Sequence, residues 1–236
     1  MILAAAGAVD HDKICAQAEQ LFGHMKASPF ATPEPARFQG GERRELKSLE
    51  QVHFTLAFES PSYRDIGIYT AQVFATALGG GMSSRLFQEI REKRGLCYSI
   101  FAQASAYADT GMTTIYAGTS GDQLAELCTI TMEEIHKAVA GLSEPEIARA
   151  RAQMKAGLLM GLESPSARAE RLARVLSIWD RVPSIEETIA NIEGVDARKL
   201  KDFGIGLATQ SPLAMALYGP ADKAPDIETL RSRLAA

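Results

Sequence analysis

Between Gln51 and Glu59 the side chains alternate without a break, Val52, Phe54, Leu56 and Phe58 against His53, Thr55 and Glu59. A period of two is that of a strand with one face buried. Strand-like runs recur from Tyr98 to Tyr107 and from Met112 to Gly118, and the Ala108, Asp109, Thr110 and Gly111 between them predict a hairpin. Asp109 there reads as a turn-capping residue before it reads as a catalytic carboxylate. Leu213 to Leu217 predicts a last buried strand, which Gly219 and Pro220 turn into a short terminal helix. Ile2 to Ala6 is a small apolar run suited to a buried strand. Gly7 to Asp10 then turns the chain into a helix that is capped by Asp10 and ends at Gly23. Its apolar positions, Ile14, Ala18, Leu21 and Phe22, predict a face laid on the sheet.

Elsewhere the spacing is helical. Asp65 caps a helix running through Ile68, Val73 and Phe74 to Leu78, and Leu124, Leu127, Cys128, Ile135 and Val139 form one apolar stripe. Ser143 with Glu146 and Ser184 with Glu187 read as capping boxes, while Ser164 and Pro165 open a helix bearing Leu172, Val175, Leu176 and Trp179. Residues 26–50, with Pro29, Pro33, Pro35, Gly40, Gly41, Arg43, Arg44 and Glu45, read as a long surface connection and not as a domain boundary. No internal repeat is evident. The elements predict an α+β fold over residues 1–236 as a single domain. Its expected form is a two-layer sandwich, a mostly antiparallel sheet of about five strands with helices packed on one face.

The least generic chemistry lies from Leu78 to Ile100. Gly79, Gly80 and Gly81 end one helix and permit backbone angles barred to other residues. A new helix follows, with Ser83 or Ser84 able to cap it, Leu86, Phe87 and Ile90 toward a core, and Arg85, Glu89, Arg91, Glu92, Lys93 and Arg94 on the other face. Gly95 stops that helix, and Leu96 to Ile100 begins a strand bearing Tyr98. Arg91 and Tyr98 are thereby expected to converge on one edge of the fold. Taken singly, a glycine triplet is a tight connection and a mixed charge run is a solvated helix face.

Composition adds limits. At 46% hydrophobic and 23% charged residues the chain is that of an ordinary globular protein, and a net charge of −4 offers no attraction to nucleic acid or an anionic membrane. Met1 to Val9 is too short to span a membrane and lacks a basic lead-in, so it is not read as a signal peptide; a cytoplasmic location is expected, from a chain that looks cut out of something longer. Cys15, Cys97 and Cys128 are far apart in sequence among apolar neighbours and read as buried free thiols in a reducing compartment. Zinc catalysis commonly needs two His on adjacent turns of one helix; His11, His24, His53 and His136 supply no such pair, so no metal ligand is expected in this chain. His53 reads as exposed on a polar strand face and His136 as part of a solvated helix face. Nor does the sequence contain a nucleophile elbow, a P-loop or a dinucleotide fingerprint after a strand.

As a string, Arg91, Lys93, Leu96 and Tyr98 stand as R-x-K-x-x-L-x-Y behind the Gly-rich turn and an S-S-R-L helix start. This resembles the C-terminal half of the inverzincin zinc metallopeptidases, the family of mitochondrial processing peptidase, pitrilysin and insulysin, and its bacterial processing-peptidase-like branch most. The Y-A-D-T-G of Tyr107 to Gly111 resembles the same family, its non-catalytic respiratory-complex core relatives included. Cys97 departs from the pattern, standing where pitrilysin and insulysin relatives tend to carry Gly.

The resemblance implies that zinc serves the complete enzyme and is held by a missing N-terminal half on an H-x-x-E-H helix. It implies that Tyr98 and Arg91 reach across a cleft to the oxyanion and the peptide, with Gly79, Gly80 and Gly81 beside the substrate. The expected function is then the substrate-binding, transition-state-stabilising half of a zinc metalloendopeptidase, inactive alone. Its expected partners are the N-terminal half, on the same or a separate chain, an extended peptide, and a second subunit in a homodimer or heterodimer. The alternative is a non-catalytic partner or core subunit that uses the fold for assembly.

Overall fold

The computed structural model describes residues 1–26, 31 and 33–235; Pro29 lies outside the described residues. Its contacts divide the chain into two compact units, Met1–Ala36 with Ala156–Pro183, and Arg37–Lys155 with Ser184–Ala236.

The larger unit is built on one five-stranded sheet. Its strands are β1 (Gly41–Leu46), β2 (Val52–Ser60), β3 (Ser99–Ala106), β4 (Gly111–Thr119) and β5 (Leu213–Gly219), in the order β1-β5-β2-β4-β3. Only the β1–β5 pair is parallel. β2 behaves as its alternation predicts: Val52, Phe54, Leu56 and Phe58 are buried, while His53 and Glu59 are exposed. Burying a side chain of this size contributes roughly 1.5–3 kcal/mol. β3 and β4 form the expected hairpin, closed by the Tyr107 amide donating to Thr110 O at 2.8 Å.

Helices carry the other wall of the core. They are α2 (Gly67–Gly79), α3 (Leu124–Ala140), the first part of α4 (Glu144–Gly161), α6 (Ile185–Glu193), α7 (Ala197–Thr209) and α8 (Ile227–Ala235), while α1 (His11–Phe22) and α5 (Pro165–Trp179) belong to the smaller unit. Phe74 and Leu78 of α2, Leu127, Met132 and Ile135 of α3, and Leu230 of α8 are buried in one cluster with the inward face of the sheet. The starts follow the sequence signals. Asp65 Oδ1 accepts from the Gly67 amide at 2.7 Å, Ser184 Oγ from Glu187 at 3.0 Å, and Glu146 reaches back to the Ser143 amide at 2.8 Å. The fold is the α+β arrangement expected.

Several local expectations are corrected. Ile2–Ala6 forms no strand, and Leu3 is 56% exposed. The fifth strand is instead β1, inside the stretch read as a connection. Its sequence, GERREL, is polar because an edge strand needs no second apolar face. It is tied down by polar contacts: Arg44 pairs with Glu42 and donates to Ala224 O and Pro225 O at 3.0 and 2.8 Å. The helix α1 begins at Asp10 and ends before Gly23 as predicted, but none of its residues is buried and Leu21 is 60% exposed. Cys15 is exposed, and only Cys97 and Cys128 are buried thiols.

Candidate functional site

The chain leaves α2 through the glycine triplet, and each glycine meets something different. A Cβ on Gly79 would lie 2.4 Å from the Ala102 amide nitrogen, so this residue lets the end of α2 touch the backbone of β3. Gly80 presents its carbonyl to Gln153 Nε2 at 2.6 Å. Gly81 is half-buried, and a Cβ there would meet only the end of the Gln153 side chain. Of the two serines expected to offer a helix cap, Ser83 or Ser84, the Ser84 hydroxyl is buried with no hydrogen-bond partner among the described residues.

The charged helix face resolves into pairs. Arg85 is not solvated as expected: Nε and Nη2 reach Glu146 Oε1 and Oε2 at 2.5 and 2.9 Å, and Nη2 also donates to Gly141 O. The Arg85 guanidinium, helped by Ser143, holds the Glu146 carboxyl at about 2, well below the usual carboxylate range. Glu89 is shared by Lys93 and Arg94. Arg91 differs from these, having no carboxylate within ion-pair distance among the described residues. Its guanidinium carbon lies 4.6 Å from the centre of the Phe87 ring and 5.1 Å from that of Tyr98. Stacking on aromatic faces orients the group without neutralising its charge.

Local backbone sets that pair. Residues Phe87–Glu92 form a π-helical segment, with the Lys93 amide bonded to Gln88 O, and such wide turns occur often at functional sites. Gly95, at φ +63, reverses the chain so that its own amide returns to Arg91 O and the Leu96 amide to Ile90 O. Thr119 Oγ1, buried in β4, donates to Leu96 O at 2.5 Å. Leu96 and Cys97 are buried, and Tyr98 emerges 79% exposed one residue before β3, the end strand of the sheet. The structure thus brings Arg91 and Tyr98 together at a sheet edge. Burial pushes the Cys97 thiol up to about 11, so it is protonated at neutral pH and is no nucleophile.

Sequence reasoning missed an aromatic row on the open face of the sheet. The Phe101 and Tyr116 rings stack 5.1 Å apart, and His53 Nδ1 lies 2.8 Å from the Tyr116 hydroxyl, so His53 is exposed but partnered. The signal was present as an aromatic or His at one alternate position on each of β2, β3 and β4; only the register makes them neighbours. Among the described residues no group of three His, Cys, Asp or Glu is placed to hold a metal ion.

Comparison with known proteins decides the family. The model of the peptidase M16 inactive domain matches residues 1–154. The chain belongs to the M16 peptidase family. It is the C-terminal, inactive type of M16 domain. An uncharacterized zinc protease of Rickettsia felis is 39% identical over 226 residues, covering 94% of this chain and 54% of that protein. Uncharacterized zinc proteases of Streptomyces coelicolor and Bacillus subtilis are 33% and 31% identical, over 93% and 95% of this chain and 50% and 55% of their own lengths. The chain spans about half the length of the curated relatives it matches. A chain of complex III2 from Candida albicans with Inz-5 bound shares this fold, at a TM-score of 0.84 and 22% identity, over 96% of this chain and 56% of that one.

Proposed function

We propose that residues 1–236 act as one functional half of a zinc metalloendopeptidase, gripping an extended peptide and stabilising the reacting carbonyl. The observation that carries this reading is an un-neutralised Arg91 held beside an exposed Tyr98 at an open sheet edge. Zinc and the hydrolytic step belong to an N-terminal half bearing H-x-x-E-H. In this chain, the Tyr98 hydroxyl donates to the carbonyl oxygen as negative charge develops on it, and being placed in advance it needs no reorganisation at that moment. Arg91 holds a neighbouring peptide carbonyl through a charge-assisted hydrogen bond. The backbone of Gly80 and Gly81 admits the peptide closely, and β3 offers an edge for it to extend the sheet. Gly79, buried against β3, contributes by letting the turn sit there.

The test combines this chain with a purified, zinc-loaded half bearing H-x-x-E-H and assays cleavage of an unstructured peptide. Cleavage is expected from the combination only. A folded, zinc-loaded first half that is fully active alone would remove the clamp role. Full binding without turnover would favour the assembly role of a core subunit.

A further inference from the structure

The apolar strand signal at Ile2–Ala6 finds no sheet in this structure, although it has the residues of a buried strand. Met1 is 84%, Ile2 42% and Leu3 56% exposed, and Met1 and Ile2 border an open groove of roughly 890 Å³ with Leu158 and Leu162. The segment also has a counterpart in the same chain. Gly7 has φ +113, and the amide two residues on, Val9, donates back to Gly7 O at 2.9 Å. Gly219, ending β5, has φ +126, and the Ala221 amide donates back to Gly219 O at 2.9 Å. Each turn leads to an Asp-capped helix: Asp10 accepts from the Lys13 amide and Asp226 from the Thr229 amide. Counting from the caps, Ile14 and Ala18 of α1 match Leu230 and Leu234 of α8, which are buried in the core of the larger unit. The repeat is hidden in sequence because only the Gly, the Asp and one strand Ala, Ala4 against Ala216, are shared and the second turn is longer.

The two copies differ in what covers them. β5 lies inside a sheet, parallel to β1 and antiparallel to β2, and Gly219 is pressed so close to Gln51 that a Cβ would meet its carbonyl oxygen at 2.4 Å. At Gly7 the nearest atom to such a Cβ is Pro165 Cβ at 3.7 Å. We infer that Ile2–Phe22 is the closing strand and helix of a second sheet of this same design, belonging to a partner half. Ile2–Ala6 enters between that half's first strand, in parallel, and its second, antiparallel, as β5 does here. Matching Gly7 to Gly219 sets Leu3 on Met215 and Ala5 on Leu217, both buried, so Leu3 and Ala5 face the partner's core. The occupant is defined by its chemistry: two strands one strand-width too far apart to pair, offering free N–H and C=O groups to a backbone between them, over an apolar layer that receives Ile14 and Ala18.

The inference rests on the proposed function only for the existence of a second half. Its test joins the part of the Rickettsia felis relative outside the matched region directly ahead of the full 236-residue chain, and follows amide hydrogen exchange. The amides of residues 2–6 are expected to exchange at near coil rates in the chain alone and about a thousandfold or more slower in the joined protein. Ala5→Pro, which removes a ladder donor, is expected to lower the melting temperature of the joined protein by several degrees and to leave that of the chain alone unchanged. Equal exchange in both proteins, with β2 and β4 protected in each, would overturn the inference, as would equal effects of Ala5→Pro. A joined protein that protects residues 2–6 but does not cleave peptides would overturn the clamp reading and leave this inference standing.

Discussion

At Tyr98 the structural alternative to a working hydroxyl is a packed ring, and the exposure of this side chain argues against packing. In the complete enzyme Tyr98→Phe should therefore lower kcat about a hundredfold, the effect of losing roughly 3 kcal/mol of transition-state stabilisation, with KM little changed. Arg91→Ala should raise KM as well, because in the proposed role its charge meets the peptide before reaction. Steady-state kinetics separates the two, and unchanged turnover in Tyr98→Phe would take it out of the mechanism. Glu146 is a different kind of residue. Its pairing with Arg85 lowers its folded pKa to about 2 from the ordinary 4.5, so the stabilisation is complete above pH 4.5 and lost as pH falls from there toward 2. Glu146→Gln should cost about 2 kcal/mol near neutral pH, with the gap to the parent protein closing across that acid range in urea titrations. The local string from Arg91 to Tyr98 was readable because Gly95 and the spacing specify it. The partner of Arg85 was not, since Glu146 lies 61 residues away on another helix.

Among the elements, the turn between α2 and the π-helical segment separates a glycine packed on β3 backbone from one that faces only the end of a side chain. Gly79→Ala should destabilise the fold by about 1–3 kcal/mol, since its Cβ would strike the β3 backbone, which cannot swing aside as a side chain can. Gly81→Ala should be nearly neutral in thermal unfolding, because only the end of Gln153 must give, and should weaken peptide binding in the complete enzyme if the turn lies against the substrate. Differential scanning calorimetry beside KM measurements distinguishes these outcomes. Elements with a clear period or cap, such as β2, α3 and α5, were legible because β2 and α3 each carry an apolar stripe and α5 opens on Ser164 and Pro165. β1 was not, because its stabilisation comes from the ladder to β5 and from Arg44, neither of which leaves a hydrophobic pattern.

For the molecule as a whole, the isolated chain should retain far less than one equivalent of zinc after dialysis, measured by atomic absorption, because no convergent ligand set exists among its described residues. A full equivalent would overturn the division of labour between halves. The sequence by itself determined the α+β class, the starts of α1, α2, α4, α5 and α6, the hairpin, and the Arg91 and Tyr98 convergence, because each depends on contacts or turns within a few residues of one another. Only the tertiary structure decided which strands are neighbours. The last strand, β5, inserts between the first two, a pairing that joins residues more than 150 positions apart and leaves no local trace in composition. It also decided that Ile2–Ala6, apolar enough for any sheet, is not in this one. A strand's side chains state that it must be buried, while its partner is chosen by backbone hydrogen bonds that every residue but proline can make.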